Sequence, residues 1–64
     1  MSNLKTIREK SGLSQSKLAE KSGINVRMIQ HYEQGSKDIN RAEALRVYRL
    51  AQALDCTVED LFEK

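Results

Sequence analysis

Apolar positions along this chain recur at helical rather than strand spacing, and capping residues and glycines cut them into five runs. Leu4 and Ile7 give the first run one apolar face. Asn3 or Ser2 is its expected cap and Gly12 its stop, which predicts a helix over 3–10, and Leu13 is expected to be buried in the connection that follows. In the second run Ser14 is placed to cap, Leu18 and Ala19 share a face, and Gly23 marks the end, predicting a helix over 14–21. Ile24 is apolar inside the turn and is expected to fill the angle before the next helix. Asn25 is a second cap, Ile29 with Tyr32 or Glu33 continues the period, and Gly35 closes a helix over 25–34. GSKDIN is turn-rich. Asn40 with Glu43 resembles a capping box and opens a fourth helix over 41–54, whose apolar positions are Ala44, Val47, Leu50, Ala51 and Leu54. Asp55 and Cys56 break the pattern. Thr57 with Asp60 forms another cap, and Val58, Leu61 and Phe62 supply a last short helix over 58–63. The expectation is an all-α domain of five helices around one core.

The stretch Ser14–Gly35 stands out. A short helix, a glycine turn and a second helix match the helix-turn-helix, whose second helix docks in the DNA major groove. A generic antiparallel helix hairpin shares the periodicity. It has no need of the polar outer face on the second helix, where Asn25, Arg27, Gln30 and His31 are set among Val26 and Met28.

Composition narrows the class. With 64 residues the chain holds one domain, and such small helical domains persist by efficient packing or by association. It has no Pro and few aromatics, and its Leu, Ala, Lys, Glu and Gln favour helices. One cysteine rules out an intramolecular disulfide, and one His with one Cys does not complete a structural zinc site. No metal or cofactor is expected. No apolar run reaches membrane-spanning length, and MSNLKTIREK lacks the apolar core of a signal peptide, so a reducing cytoplasm is the expected setting.

The net charge of +2 says less than its distribution. Up to Gln34, Lys5, Arg8, Lys10, Lys17, Lys21 and Arg27 outweigh Glu9, Glu20 and Glu33, leaving +3, and from Gly35 onward the balance is −1. The basic half holds the helix-turn-helix, as a phosphate-facing surface requires. Ordinary solvated charge is the bland alternative.

Three segments carry a family likeness: LKTIREKSGLSQSKLAEKSGI at Leu4–Ile24, IQHYEQG at Ile29–Gly35 and LAQALDCTVEDLF at Leu50–Phe62. Together they cover nearly the whole chain, which resembles the phage repressor and Cro-type helix-turn-helix regulators, the xenobiotic-response-element family of bacteria and their phages and mobile elements. The signature GLSQxxLA, Gly12–Ala19, followed by IxxYExG, is specific.

The resemblance implies a compact five-helix, lambda-repressor-like fold and a set of roles. Gln15, which opens the second helix, bonds a phosphate and braces the first recognition-helix side chain. Val26, Arg27 and His31 face base edges. Asn25, Met28 and the backbone from Gly35 through Ser36 to Lys37 lie near phosphates, and Arg8 pairs with Glu33. Chemistry agrees in part: arginine suits a bidentate contact with guanine, valine meets a thymine methyl, and helix N-termini are natural phosphate ligands. The chain departs from the family pattern in placing Gln30 at a usual serine or threonine site as a supporting residue, Met28 at a usually small polar site, and no proline in the loop before the fourth helix, which is about three residues longer than the commonest form.

Plainer readings exist for each residue. Arg27 and His31 could be solvated helix positions, Gln15 a helix former, and Val26 a core residue, although Ile24 and Ile29 already supply the inward face. Tyr32 reads as core rather than a stacking platform. An exposed Arg8–Glu33 pair contributes little, whereas a buried one fixes the first helix to the third. Cys56 reads as a buried structural thiol. Glu59 and Asp60 are successive positions that do not face one another, so they suit a helix start rather than acid–base chemistry, and no catalytic arrangement has a supporting motif.

The expected activity is therefore that of a sequence-specific regulator of transcription, a repressor in the first instance, bound to double-stranded operator DNA as a homodimer on a pseudo-palindrome. Its expected dimer surface is Cys56, Val58, Glu59 and Phe62. The rival is an antitoxin-type module that neutralises a partner toxin and also binds its own operator.

Overall fold

The computed structural model describes residues 2–63. Its elements are α1 (Asn3–Lys10), α2 (Gln15–Ser22), α3 (Val26–Gln34), a single 3₁₀ turn at Ile39–Arg41, α4 (Ala44–Ala53) and α5 (Val58–Leu61), with no strand among the described residues. The described residues form an all-helical domain with five α-helices.

Local chemistry sets most of these boundaries. Ser2 Oγ accepts from the Lys5 N–H at 3.1 Å, so Ser2 rather than Asn3 caps α1. Ser14 Oγ accepts from Lys17 at 3.0 Å, and Asn25 Oδ1 accepts from Arg27 at 2.8 Å. Each bond satisfies a donor that a helix start leaves orphaned. Gly23 ends α2 at φ 74°, a left-handed conformation that costs glycine nothing, and its N–H closes on Ala19 O at 2.9 Å. At α5 the capping box is complete: Asp60 N donates to Thr57 Oγ1 at 3.2 Å and Thr57 N to Asp60 Oδ2 at 3.1 Å.

The fourth helix differs from the expected 41–54. Asn40 and Glu43 form no capping box. Asn40 lies in the 3₁₀ turn capped by Asp38, and Glu43 takes the N-cap position of α4 with no side-chain bond. The Asn40 carboxamide is engaged elsewhere. It donates to Glu63 O and accepts from Glu63 N, and so ties the end of the described chain to the turn. Asn3 likewise donates to Phe62 O at 2.7 Å. A helix started at Asn40 would forfeit this clamp. The last helix ends at Leu61 rather than 63, and Phe62 lies beyond it in extended backbone.

Leu4, Leu18, Ile29, Val47, Leu50 and Leu61 are almost wholly buried, one or more from every helix, with Ile24, Tyr32 and Ile39 closing the core around them. α2 packs against α3 and α4, α1 against α3 and α5, and α4 against α5. Ile24 fills the angle between α2 and α3 at 8 % exposure. Leu13 packs against the core but is only partly buried. On α4 the inward set is Val47, Leu50, Ala51 and Ala53, while Ala44 is exposed. Cys56 is only half-buried at the edge of the core, not the enclosed thiol expected. Burial, followed by the nearby Asp60 and Asp55 carboxylates, pushes its thiol above the ordinary value.

Candidate nucleic-acid interface

The helix-turn-helix is anchored from below by one charge cluster. Arg8 on α1 donates from Nε to Glu33 Oε2 at 2.7 Å and from Nη2 to Glu33 Oε1 at 3.0 Å, a two-pronged pair with side-chain exposures of 10 % and 3 %. Its third nitrogen, Nη1, donates to Leu13 O at 2.8 Å and so orders the α1–α2 connection. The hydrogen bond to Glu33 raises the Arg8 pKa further above neutrality, against a smaller opposing effect of burial. The guanidinium is a permanent cation here.

Gln15, the first residue of α2, joins the same cluster. Its Nε2 donates to Glu33 Oε1 at 3.0 Å, and its Oε1 accepts from Gln30 Nε2 at 3.4 Å. The brace from Gln15 therefore reaches Gln30, in the second turn of α3, whereas position 26 carries a valine with nothing to accept it. Four side chains from α1, α2 and α3 form one connected polar seam.

The flank of α3 centred on Arg27 is more open. Arg27 is exposed and forms no ion pair among the described residues. Val26 is half-buried and lies outside the core cluster and the side chains packed on it. Gln30 and His31 are half-buried, and Gln34 is exposed. His31 Nδ1 is buried and meets no hydrogen-bond partner among the described residues. The helix ends at Gly35, φ 82°, where the Ser36 and Lys37 N–H groups converge on His31 O at 2.9 and 3.3 Å. Ser36 and Lys37 are exposed just beyond it.

Two of the expected phosphate-side residues have other duties. Asn25 spends its Oδ1 on the cap and keeps only its amide N–H groups for a ligand. Met28 packs against the core and lines a shallow depression of about 230 Å³ with Gly23, Ile24, Asn25, Arg46 and Arg49. α4 thus brings two arginines close to the start of α3. Arg46 also donates to the Tyr32 hydroxyl at 3.3 Å, and this bond raises its pKa. Neither arginine was singled out from the sequence, because each lies remote from the helix-turn-helix in the chain.

The expected dimer surface is regrouped as well. Val58 and Phe62 do line an apolar depression, but with Ala42, Ala44, Leu45, Val47 and Tyr48 rather than with Cys56 and Glu59. Leu45, Tyr48 and Phe62 are 58 %, 50 % and 37 % exposed. Leu45 and Tyr48 stand three apart, a spacing in the sequence that marks a second apolar face on α4.

Comparison with known proteins agrees with this architecture. The profile of a family described as Helix-turn-helix matches residues 4–61. Two curated relatives, each called an uncharacterized HTH-type transcriptional regulator, come from Sinorhizobium medicae (strain WSM419) and Rhizobium meliloti (strain 1021). Both are 39 % identical to this chain over 62 residues, which cover 97 % of it and 42 % of them. The chain belongs to the helix-turn-helix family, of the xenobiotic-response-element type. It spans about two fifths of the length of these relatives.

Proposed function

We propose that this chain is a sequence-specific DNA-binding domain of a transcriptional regulator, acting as a repressor, with α3 inserted in the major groove of double-stranded DNA. The observation that carries this reading is the contrast between the two sides of α3. One is locked to α1 and α2 through Glu33, and the other presents Arg27, exposed and in no ion pair among the described residues, beside His31.

In this arrangement Arg27 forks onto a guanine, Val26 meets a thymine methyl, and His31 bonds a base edge or a flanking phosphate. The orphan N–H groups at the starts of α2 and α3 and the exposed Gly35–Lys37 segment hold phosphates and fix the register. Gln15 keeps one amide N–H for a phosphate while it braces α3. No helix among the described residues is long and apolar enough to cross a membrane.

A single module of this size covers little DNA, so two copies on a pseudo-palindrome are needed for a selective site, with half-site centres about 10–10.5 bp apart. The exposed Leu45, Tyr48 and Phe62, with the half-buried Val58 among them, support a contact between two copies.

Selection from a random duplex pool tests the reading. Enrichment of a two-fold-symmetric site supports it. Enrichment of nothing above a salt-sensitive background refutes it and leaves the partner-binding, antitoxin-type role as the better account.

A further inference from the structure

We propose that Gln30 is an additional base-reading residue that selects adenine over guanine, and that the Arg8–Glu33–Gln15 hydrogen-bond relay is what orients it. The inference rests on the DNA-binding reading above and goes beyond the base-facing positions named there.

The direction of the relay follows from charge. The Glu33 carboxylate, fixed by two bonds from Arg8, has only acceptors. Any carboxamide facing it must turn its NH₂ inward, and Gln15 does so at 3.0 Å. The Gln15 oxygen is then forced to the opposite side, where Gln30 Nε2 lies 3.4 Å away. Gln30 must in turn offer its own NH₂ to Gln15, so its carbonyl oxygen points elsewhere. A buried negative charge, relayed through the Gln15 side chain, thereby sets which edge of Gln30 is available.

That edge has a defined partner. Gln30 lies three residues beyond Arg27, about one turn along α3 at the edge of the polar seam, and is half-buried rather than enclosed. A carboxamide has two N–H groups. The one opposed to its oxygen remains on Gln15, while the one beside the oxygen, together with the oxygen, forms a donor–acceptor edge. Adenine presents the complement in the major groove, an N7 acceptor and an N6 donor. Guanine presents two acceptors, N7 and O6. To meet O6, Gln30 would have to reverse its amide, which would set two carbonyl oxygens against each other at Gln15. The relay makes that reversal unfavourable, so Gln15 acts as a positioning residue for Gln30.

The test compares wild type, Arg27→Ala, Gln30→Ala and Gln15→Met by selection from a random duplex pool, followed by titration of duplexes that carry A or G at the position in question. Wild type is expected to enrich adenine at a position in each half-site that Arg27→Ala retains, with an A:G affinity ratio of about tenfold. Gln30→Ala should bring that ratio close to one. Gln15→Met should relax it too. If Gln15 served only to hold a phosphate, its loss would weaken both duplexes equally and keep the ratio, which would overturn the relay. A selected site whose every base preference survives Gln30→Ala overturns the inference while DNA binding stands. If wild type enriches no sequence, both readings fall. Should Gln15→Met fail to fold by circular dichroism, Gln30→Ala at its half-buried position still decides whether Gln30 reads the base.

Discussion

Arg8 and Glu33 are 25 residues apart in sequence, yet they form a two-pronged ion pair with the Glu33 side chain only 3 % exposed. This pair ties α3 to α1. Removing one partner strands the other charge where water reaches it poorly. Glu33→Leu is therefore expected to lower unfolding free energy by about 3 kcal/mol, as seen when buried pairs are broken from one side. Replacing both residues with apolar ones of similar volume should recover much of the loss. Urea titrations of the single and double variants measure this, and a Glu33→Leu protein as stable as wild type would mean that the pair contributes no more than a surface contact.

Arg27 is exposed and engaged in no ion pair among the described residues, so its role separates cleanly from folding. Arg27→Ala should leave the melting temperature within error of wild type. On DNA it should cost about 1–3 kcal/mol at one base position per half-site and flatten the preference there. A loss of affinity spread uniformly over all sequences would instead assign Arg27 to a phosphate.

The elements legible in the sequence were those decided by neighbours. Ser14, Asn25 and Thr57 cap the helices they precede, and Gly23 and Gly35 end helices where left-handed backbone is required. What the sequence concealed depended on partners far along the chain. Asn40 has the right spacing to Glu43 for a capping box, but its carboxamide finds Glu63 instead and α4 starts later. Gln15 marks the start of α2 in any reading, yet its bonds to Glu33 and Gln30 cross 18 and 15 residues. Leu45 and Tyr48 fit a helical period as well as core residues do; only the packed fold shows that Val47 and Leu50 face inward and leave the former pair outside.

Lys37 is exposed just past the end of α3, in the segment proposed to hold phosphates. Lys37→Ala should weaken binding to specific and nonspecific duplexes alike. A plot of log affinity against log salt concentration should become shallower by about one, the release of a single counterion. An unchanged slope would place Lys37 away from DNA.

The apolar face of α4 and α5 makes a separable claim about assembly. Tyr48 is half exposed, and its hydroxyl accepts at 2.8 Å from Gln52, one turn further on the same surface, so little of the core depends on it. Tyr48→Glu should therefore keep the helical content and thermal stability of wild type within about 0.5 kcal/mol, the usual range for a surface change. If Leu45, Tyr48 and Phe62 join two copies, a carboxylate there is buried against apolar groups in the pair and repels its symmetry mate. Sedimentation with a symmetric duplex should then show one bound protomer where wild type shows two, and cooperative gel shifts should become stepwise. Two Tyr48→Glu protomers bound with wild-type cooperativity would move the dimer contact to another face. The apolar surface of α4 would then be left to a different protein partner.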